Sequence, residues 1–263
     1  MKPLKVKNVS FGEGMPKICI PITGKTEEEI VSETALVKTL PHQVVEWRAD
    51  HYREITDHGK TEAVLRSLRE LLPESVLLFT FRTHHEGGAR ELSEKDYLEI
   101  CEHAVSTGLC DLVDFELFTG CKERFLKGAS APGPEEGPLP GFLETARMHG
   151  VPVILSSHDF RKTPEPEELL LRLRTMERLG AGIAKLAVMP KSEKDVLALL
   201  AATREAADTV SCPVITMSMG AMGVISRVSG RLTGSCMTFG SAGRASAPGQ
   251  LPAGTLSEIL EIL

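Results

Sequence analysis

One lysine stands alone in an aliphatic run. Gly180-Ala-Gly-Ile-Ala-Lys-Leu-Ala-Val-Met-Pro190 is apolar apart from Lys185, with two glycines at its opening and a proline at its close. An ammonium is unfavourable in such surroundings unless it is paired, reaches solvent at a strand end, or is held partly neutral. A neutral amine attacks carbonyls, and the resulting iminium makes the neighbouring C–H acidic. Taken by itself, the stretch reads more simply as a strand-end lysine snorkelling to solvent. Its potential partners recur at the ends of other apolar runs: Glu46 and Arg48 around Trp47, Arg82 followed by His84-His85-Glu86, and Asp114 with Glu116. Further along come Ser156-Ser157-His158-Asp159, Met217, Met219, Arg227, Phe239 and the Ser246–Gln250 stretch. Histidine transfers protons near neutral pH, and a planar guanidinium grips a carboxylate through two parallel hydrogen bonds.

Each of these residues also has a plain reading. Glu46 with Arg48 or Arg82 would serve as a structural ion-pair network, and Asp114 and Glu116 read as structural rather than catalytic. His42, His51, His58, His103 and His149 have no partner by spacing and are expected at the surface. A metal centre is not expected: adjacent histidines chelate poorly, and neither HxH nor HExxH occurs. Gly240-Ser-Ala-Gly-Arg244 has the composition of an anion nest, a weak signal by itself. The six cysteines are scattered without a CxxC and are expected as reduced thiols packed like small apolar side chains.

The elements that must position these residues are legible as alternation. Apolar strand-like runs at 17–23, 44–49, 75–82, 112–117, 151–157, 180–190, 213–218 and 234–239 alternate with helical stretches, several of them opened by caps such as Thr26, Ser93 and Ser192. Several strands are apolar almost throughout, as parallel strands covered on both faces are. Eight βα units in 263 residues predict a single-domain (β/α)8 TIM barrel spanning residues 1–263. The polar residues then gather where barrel strands end, the face that carries active sites. A doubly wound sheet is the alternative, but no glycine-rich nucleotide fingerprint follows the first strand. The Pro/Gly-rich segment 128–141 is expected as a surface loop, with a helix resuming near Phe142.

Composition narrows the partners. A net charge of −6 gives no reason to expect nucleic acid or an anionic membrane. The first residues lack an apolar signal core and no run reaches membrane-spanning length, so a cytoplasmic protein is expected.

Taken together and in order, Glu46-Trp-Arg-Ala-Asp50, Phe81-Arg-Thr with Glu86-Gly-Gly, Asp114-Phe-Glu116, Ser157-His-Asp-Phe160, Ala-Lys185-Leu-Ala, Met217-Ser-Met-Gly220, Ser226-Arg227 and Ser246-Ala-Pro-Gly-Gln250 resemble the type I 3-dehydroquinate dehydratases. The resemblance spans residues 17–250 and implies a lyase that converts 3-dehydroquinate to 3-dehydroshikimate in the shikimate pathway, without cofactor or metal. It implies Lys185 as the Schiff-base lysine, His158 as general base and acid, and Glu86 as the carboxylate that orients His158. It further implies Arg227 as partner of the substrate carboxylate, Glu46, Arg48, Arg82, Ser246 and Gln250 as contacts to substrate carboxylate and hydroxyls, and Met217 and Phe239 as apolar walls. A homodimer is the family's usual state. Pro21 stands where some relatives carry a hydroxyl, so any substrate contact from that side chain is absent here. Two other readings compete: a class I aldolase using the same lysine with Gly240–Arg244 as phosphate site, and a non-catalytic sensor of small hydroxy acids.

Overall fold

The computed structural model describes residues 2–119, 137–243 and 246–263. Eight parallel strands form the expected ring: β3 (Lys17–Ile22), β4 (Val44–Arg48), β5 (Val76–Thr80), β6 (Leu112–Glu116), β7 (Val153–Asp159), β8 (Ile183–Val188), β9 (Val214–Ser218) and β10 (Met237–Ser241). Each pairs in parallel with its neighbours in chain order, and β10 returns to pair with β3. Between β9 and β10 the ring closes through a parallel bridge, Val214 to Ser235, with the Cys236 amide donating to the Val214 carbonyl at 2.8 Å.

Helices follow the strands for the reasons their sequences give. The helix α1 (Glu27–Val37) starts on Thr26, whose hydroxyl accepts from the Glu29 amide, and three glutamates in its first turn favour the positive end of its dipole. Asp57 and Ser93 cap α2 (His58–Leu71) and α3 (Glu94–Ser106) in the same way. Most of the 128–141 loop expected from sequence, residues 128–136, lies outside the described residues, as does Cys121. Its end departs from expectation: α4 (Leu139–Met148) begins three residues before Phe142, because a proline in a first helical turn, here Pro140, forgoes an amide bond that has no partner there anyway. Then come α5 (Pro166–Arg178), α6 (Glu193–Thr209), the short α7 (Ile225–Val228) and α8 (Gly230–Thr233), and α9 (Ala253–Ile262).

Alternation along the strands sorts side chains into two cores. Outward residues such as Trp47 and Phe79, edge-to-face at 5.5 Å, pack under the helices. Inward residues of the lower layers, among them Cys19, Val44, Leu78, Leu112, Ile154 and Ile215, fill the barrel. An element that the sequence reading did not foresee completes this inner core. The antiparallel hairpin of β1 (Leu4–Val6) and β2 (Val9–Phe11) turns at Lys7, which takes φ 52°, and sends fully buried Phe11 into the same cluster. The upper layer of the barrel is polar instead, and there the strands meet the site. Among the described residues no helix is long and apolar enough to cross a membrane.

Candidate active site

A cavity of about 120 Å³ opens among the polar strand ends. It is lined by Glu46, Arg48, Arg82, Glu86, His158, Lys185, Met217, Arg227, Phe239, Ser246 and Gln250, each residue to which the resemblance gives a catalytic or substrate-binding role, together with Phe160, Met219 and Pro248. Their convergence follows from the strand period of two. Glu46 and Arg48 share the inner face of β4, Lys185 stands inward on β8, and His158 is the last-but-one residue of β7.

Lys185 is 3% exposed and is paired. Its Nζ donates to Asp114 Oδ2 at 2.9 Å, lies 4.0 Å from Glu46 Oε1, and stands 4.7 Å from the centre of the Phe239 ring. Asp114, set aside in the sequence as a structural residue, is thus the direct counterion of the lysine. It also accepts from Arg82 Nη2 at 2.8 Å and Ser156 Oγ at 2.6 Å. Burial alone would push the Asp114 carboxyl up, but Arg82 and Lys185 outweigh it and hold it well below the usual carboxylate range. The signal was present in the sequence as inward alternation, since Asp114 occupies the same barrel layer as Glu46 and Lys185.

His158 is held at two points by one carboxylate oxygen. Glu86 Oε2 accepts from the His158 amide at 3.1 Å and from its ring Nδ1 at 2.9 Å. Because a carboxylate only accepts, Nδ1 carries the proton and Nε2 keeps its lone pair. Burial, with the nearby charges of Arg82 and Lys185, holds the imidazole well below its ordinary pKa, so the neutral ring prevails at pH 7. Glu86 reaches His158 from a tight turn that needs the two glycines after it. A Cβ on Gly88 would lie 1.8 Å from the Arg82 carbonyl oxygen, and one on Gly87, at φ 87°, would lie 2.3 Å from the Phe160 ring.

The three arginines differ. Arg48 grips Asp50 with Nε at 2.8 Å and Nη2 at 2.9 Å, a bidentate pair. Arg82 is committed to Asp114, to Glu116 at 3.2 Å and to Ser156 at 3.0 Å. It lines the cavity, as the sequence led one to expect, yet its guanidinium organises carboxylates rather than standing open to a ligand. Arg227, on α7 and 2% exposed, has no acidic partner among the described residues. Its Nη2 donates to the Pro248 carbonyl at 2.8 Å, its Nε has no hydrogen-bond partner among the described residues, and burial lowers its pKa to about 10. A buried cation left in this state favours an anion beside it.

Ser246 and Gln250 close the cavity by bracing each other. The Ser246 amide donates to Gln250 Oε1 at 2.8 Å, and Gln250 Nε2 donates to Ser246 Oγ at 3.0 Å. The loop is docked on Gly220, whose amide donates to the Pro248 carbonyl at 3.3 Å. Met217 and Phe239 stand as walls, both largely buried.

Other sequence expectations change in detail. No cluster of three or more metal-ligating side chains occurs among the described residues, and His84 and His85 are exposed. Gly240 and Ser241 are strand residues of β10 rather than an anion nest; a Cβ on Gly240 would lie 3.0 Å from the Ala253 Cα, and Arg244 lies outside the described residues. Three histidines expected at the surface are placed by contacts. His42 bonds Leu40 and Ser75, while His103 stacks on His58 at 4.3 Å. Cys19, beneath the lysine, has its thiol pushed well up by burial and by Glu46, which makes it a poor nucleophile.

A (β/α)8 barrel that gathers a buried lysine, a carboxylate-held histidine and an unpaired arginine at its C-terminal mouth is a barrel enzyme for a small anionic molecule. The sequence model of the family described as type I 3-dehydroquinase matches residues 18–263. The chain belongs to that family. It is 46% identical over 263 residues to a 3-dehydroquinate dehydratase of Listeria welshimeri, covering 100% of this chain and 98% of the relative, and 44% identical over 264 residues to that of Bacillus subtilis, with the same coverage. The type I 3-dehydroquinate dehydratase of Clostridium difficile superposes with a TM-score of 0.90 at 41% identity, covering 99% of this chain and 97% of that one. The enzyme of Geobacillus kaustophilus gives 0.91 at 37% identity, covering 100% and 96%.

Proposed function

We propose that this chain dehydrates 3-dehydroquinate to 3-dehydroshikimate and water through a Schiff base on Lys185. One observation carries the reading: Arg227, a buried guanidinium without an acidic partner among the described residues, opens onto the same cavity as Lys185 and the Glu86-held His158. The substrate carboxylate takes the place beside Arg227, which sets the ring's ketone toward Lys185. Lys185 gives a proton to His158 Nε2 and adds to the carbonyl; protonation of the carbinolamine oxygen by His158 then expels water and leaves the iminium, whose positive charge lies where Asp114 already balances the ammonium. The iminium withdraws electrons from the adjacent carbon, and His158 Nε2, its lone pair free, removes that proton. The same nitrogen returns a proton to the departing hydroxyl, and water then hydrolyses the conjugated imine to release product and lysine. Glu86 stabilises the imidazolium that exists between those two transfers. Glu46 and Arg48 face the substrate hydroxyls, Arg82 fixes the carboxylates behind the lysine, and Met217 and Phe239 exclude water.

The alternative of an aldolase with a phosphate site loses its support with Gly240 and Ser241 built into β10. A cytoplasmic homodimer completes the reading, carried by the family resemblance and checked by light scattering. The functional test is appearance of the conjugated enone absorbance when 3-dehydroquinate is supplied. Arg227→Met is expected to raise KM about 10- to 100-fold, the effect of losing one charge-assisted contact. An unchanged KM would remove Arg227 from substrate binding.

A further inference from the structure

The cavity carries two kinds of arginine, and the difference has a cause outside the cavity. Asp50 follows β4 in a short 3₁₀ turn, is 1% exposed, and does not line the cavity. Both of its oxygens are committed. Oδ1 accepts from Arg48 Nε at 2.8 Å and weakly from the Arg82 amide at 3.4 Å, while Oδ2 accepts from Arg48 Nη2 at 2.9 Å and from the Ala89 amide at 2.9 Å. His51 Nε2 stands 3.6 Å from Oδ2, beyond hydrogen-bond distance. The fork of Arg48 that would otherwise receive a carboxylate side-on is therefore filled by the protein itself. Among the described residues no hydrogen bond reaches Arg48 Nη1, so one end of the guanidinium remains for a ligand while its charge is already balanced. Arg227 is the opposite case: among the described residues it meets no carboxylate and its Nε has no partner.

We propose that Asp50 is a specificity-determining positioning residue: by neutralising Arg48 and occupying its bidentate edge, it converts that arginine from an anion binder into a hydroxyl reader, so that the site accepts one carboxylate, at Arg227, and rejects a second. A charged group placed at Arg48 would meet a guanidinium paired with a buried carboxylate, and the repulsion from Asp50 offsets the attraction. A neutral hydroxyl meets only an available N–H donor and loses nothing. The backbone amides of Ala89 and Arg82 donate to Asp50 and fix it in place, so the pairing does not depend on a flexible side chain.

This inference rests on the proposed reading of the cavity as the 3-dehydroquinate site, and its test separates the two. Inhibition constants against turnover of 3-dehydroquinate are measured for cyclohexanecarboxylate and for cyclohexane-1,3-dicarboxylate, with the native enzyme and with Asp50→Asn. Native enzyme that forms no enone from 3-dehydroquinate would overturn the functional reading itself. With turnover established, the native enzyme is expected to bind the dicarboxylate no more tightly than the monocarboxylate. Asp50→Asn is expected to tighten the dicarboxylate about tenfold or more while the monocarboxylate moves less than about threefold, because Arg48 then carries an unbalanced charge. A ratio of the two constants that stays within about threefold of native in a folded Asp50→Asn would overturn the proposal. Should that variant not fold, the native enzyme still decides: a preference of about tenfold for the dicarboxylate would contradict it.

Discussion

At the residue scale, the site is an exercise in which charges are balanced and which are left open. Lys185 and Arg82 share Asp114, Arg48 holds Asp50, and Arg227 has no carboxylate among the described residues. In the proposed cycle ammonium and iminium carry the same charge at the same place, so Asp114 stabilises the electron sink as well as the resting lysine. Asp114→Asn is therefore expected to lower kcat about 10- to 100-fold, the size of a lost charge-assisted hydrogen bond, with KM little changed. Steady-state kinetics check this, and a kcat within about twofold of native would assign Asp114 a purely structural role. The sequence showed the lysine, the histidine and the arginines because their types are conspicuous among apolar neighbours. Alternation put Asp114 on one strand face with Glu116, but only the assembled barrel shows that the charge it meets there is Lys185.

At the element scale, strand periodicity and caps were enough to place the eight barrel strands, and the C-terminal strand ends then drew the polar residues together. Boundaries moved where backbone bonding, not side-chain pattern, decides: β7 runs on through His158 and Asp159 by pairing with Ala187 and Val188. The N-terminal hairpin escaped notice because three-residue strands carry too little alternation to read, and Phe11 announces its burial only once the barrel's lower mouth exists. The lid is a further element set by backbone geometry. Gly249 takes φ 79°, and a Cβ there would lie 2.4 Å from the Gly220 carbonyl oxygen. Gly249→Ala is thus expected to loosen the Ser246–Gln250 loop and raise KM for 3-dehydroquinate several-fold to about tenfold, since left-handed strain in a non-glycine residue costs about 1–2 kcal/mol. An unaltered KM would mean that the docked loop takes no part in binding.

At the scale of the whole molecule, burying so many ionisable groups ties stability to pH. The His158 ring titrates well below its ordinary value in the folded chain, held down by burial and by Arg82 and Lys185. The unfolded chain then takes up more protons, so stability is full above about pH 6.5 and falls as the solution is acidified below it. Asp114, depressed in the fold, adds to the loss at still lower pH, below its usual value near 3.9. Denaturant midpoints measured between pH 7.5 and 5 are expected to decline for the native chain and to decline less for His158→Asn; equal slopes would show that His158 titrates normally. The barrel, the inner apolar layers and the hairpin plug all serve to hold one amine in a dry, charge-balanced place. The most direct test is therefore chemical: treat the enzyme with 3-dehydroquinate and borohydride, digest it, and locate the added mass. A ligand-sized adduct is expected on the peptide bearing Lys185, and neither adduct nor turnover in Lys185→Ala. An adduct on another residue, or turnover surviving in Lys185→Ala, would contradict a Schiff base on Lys185.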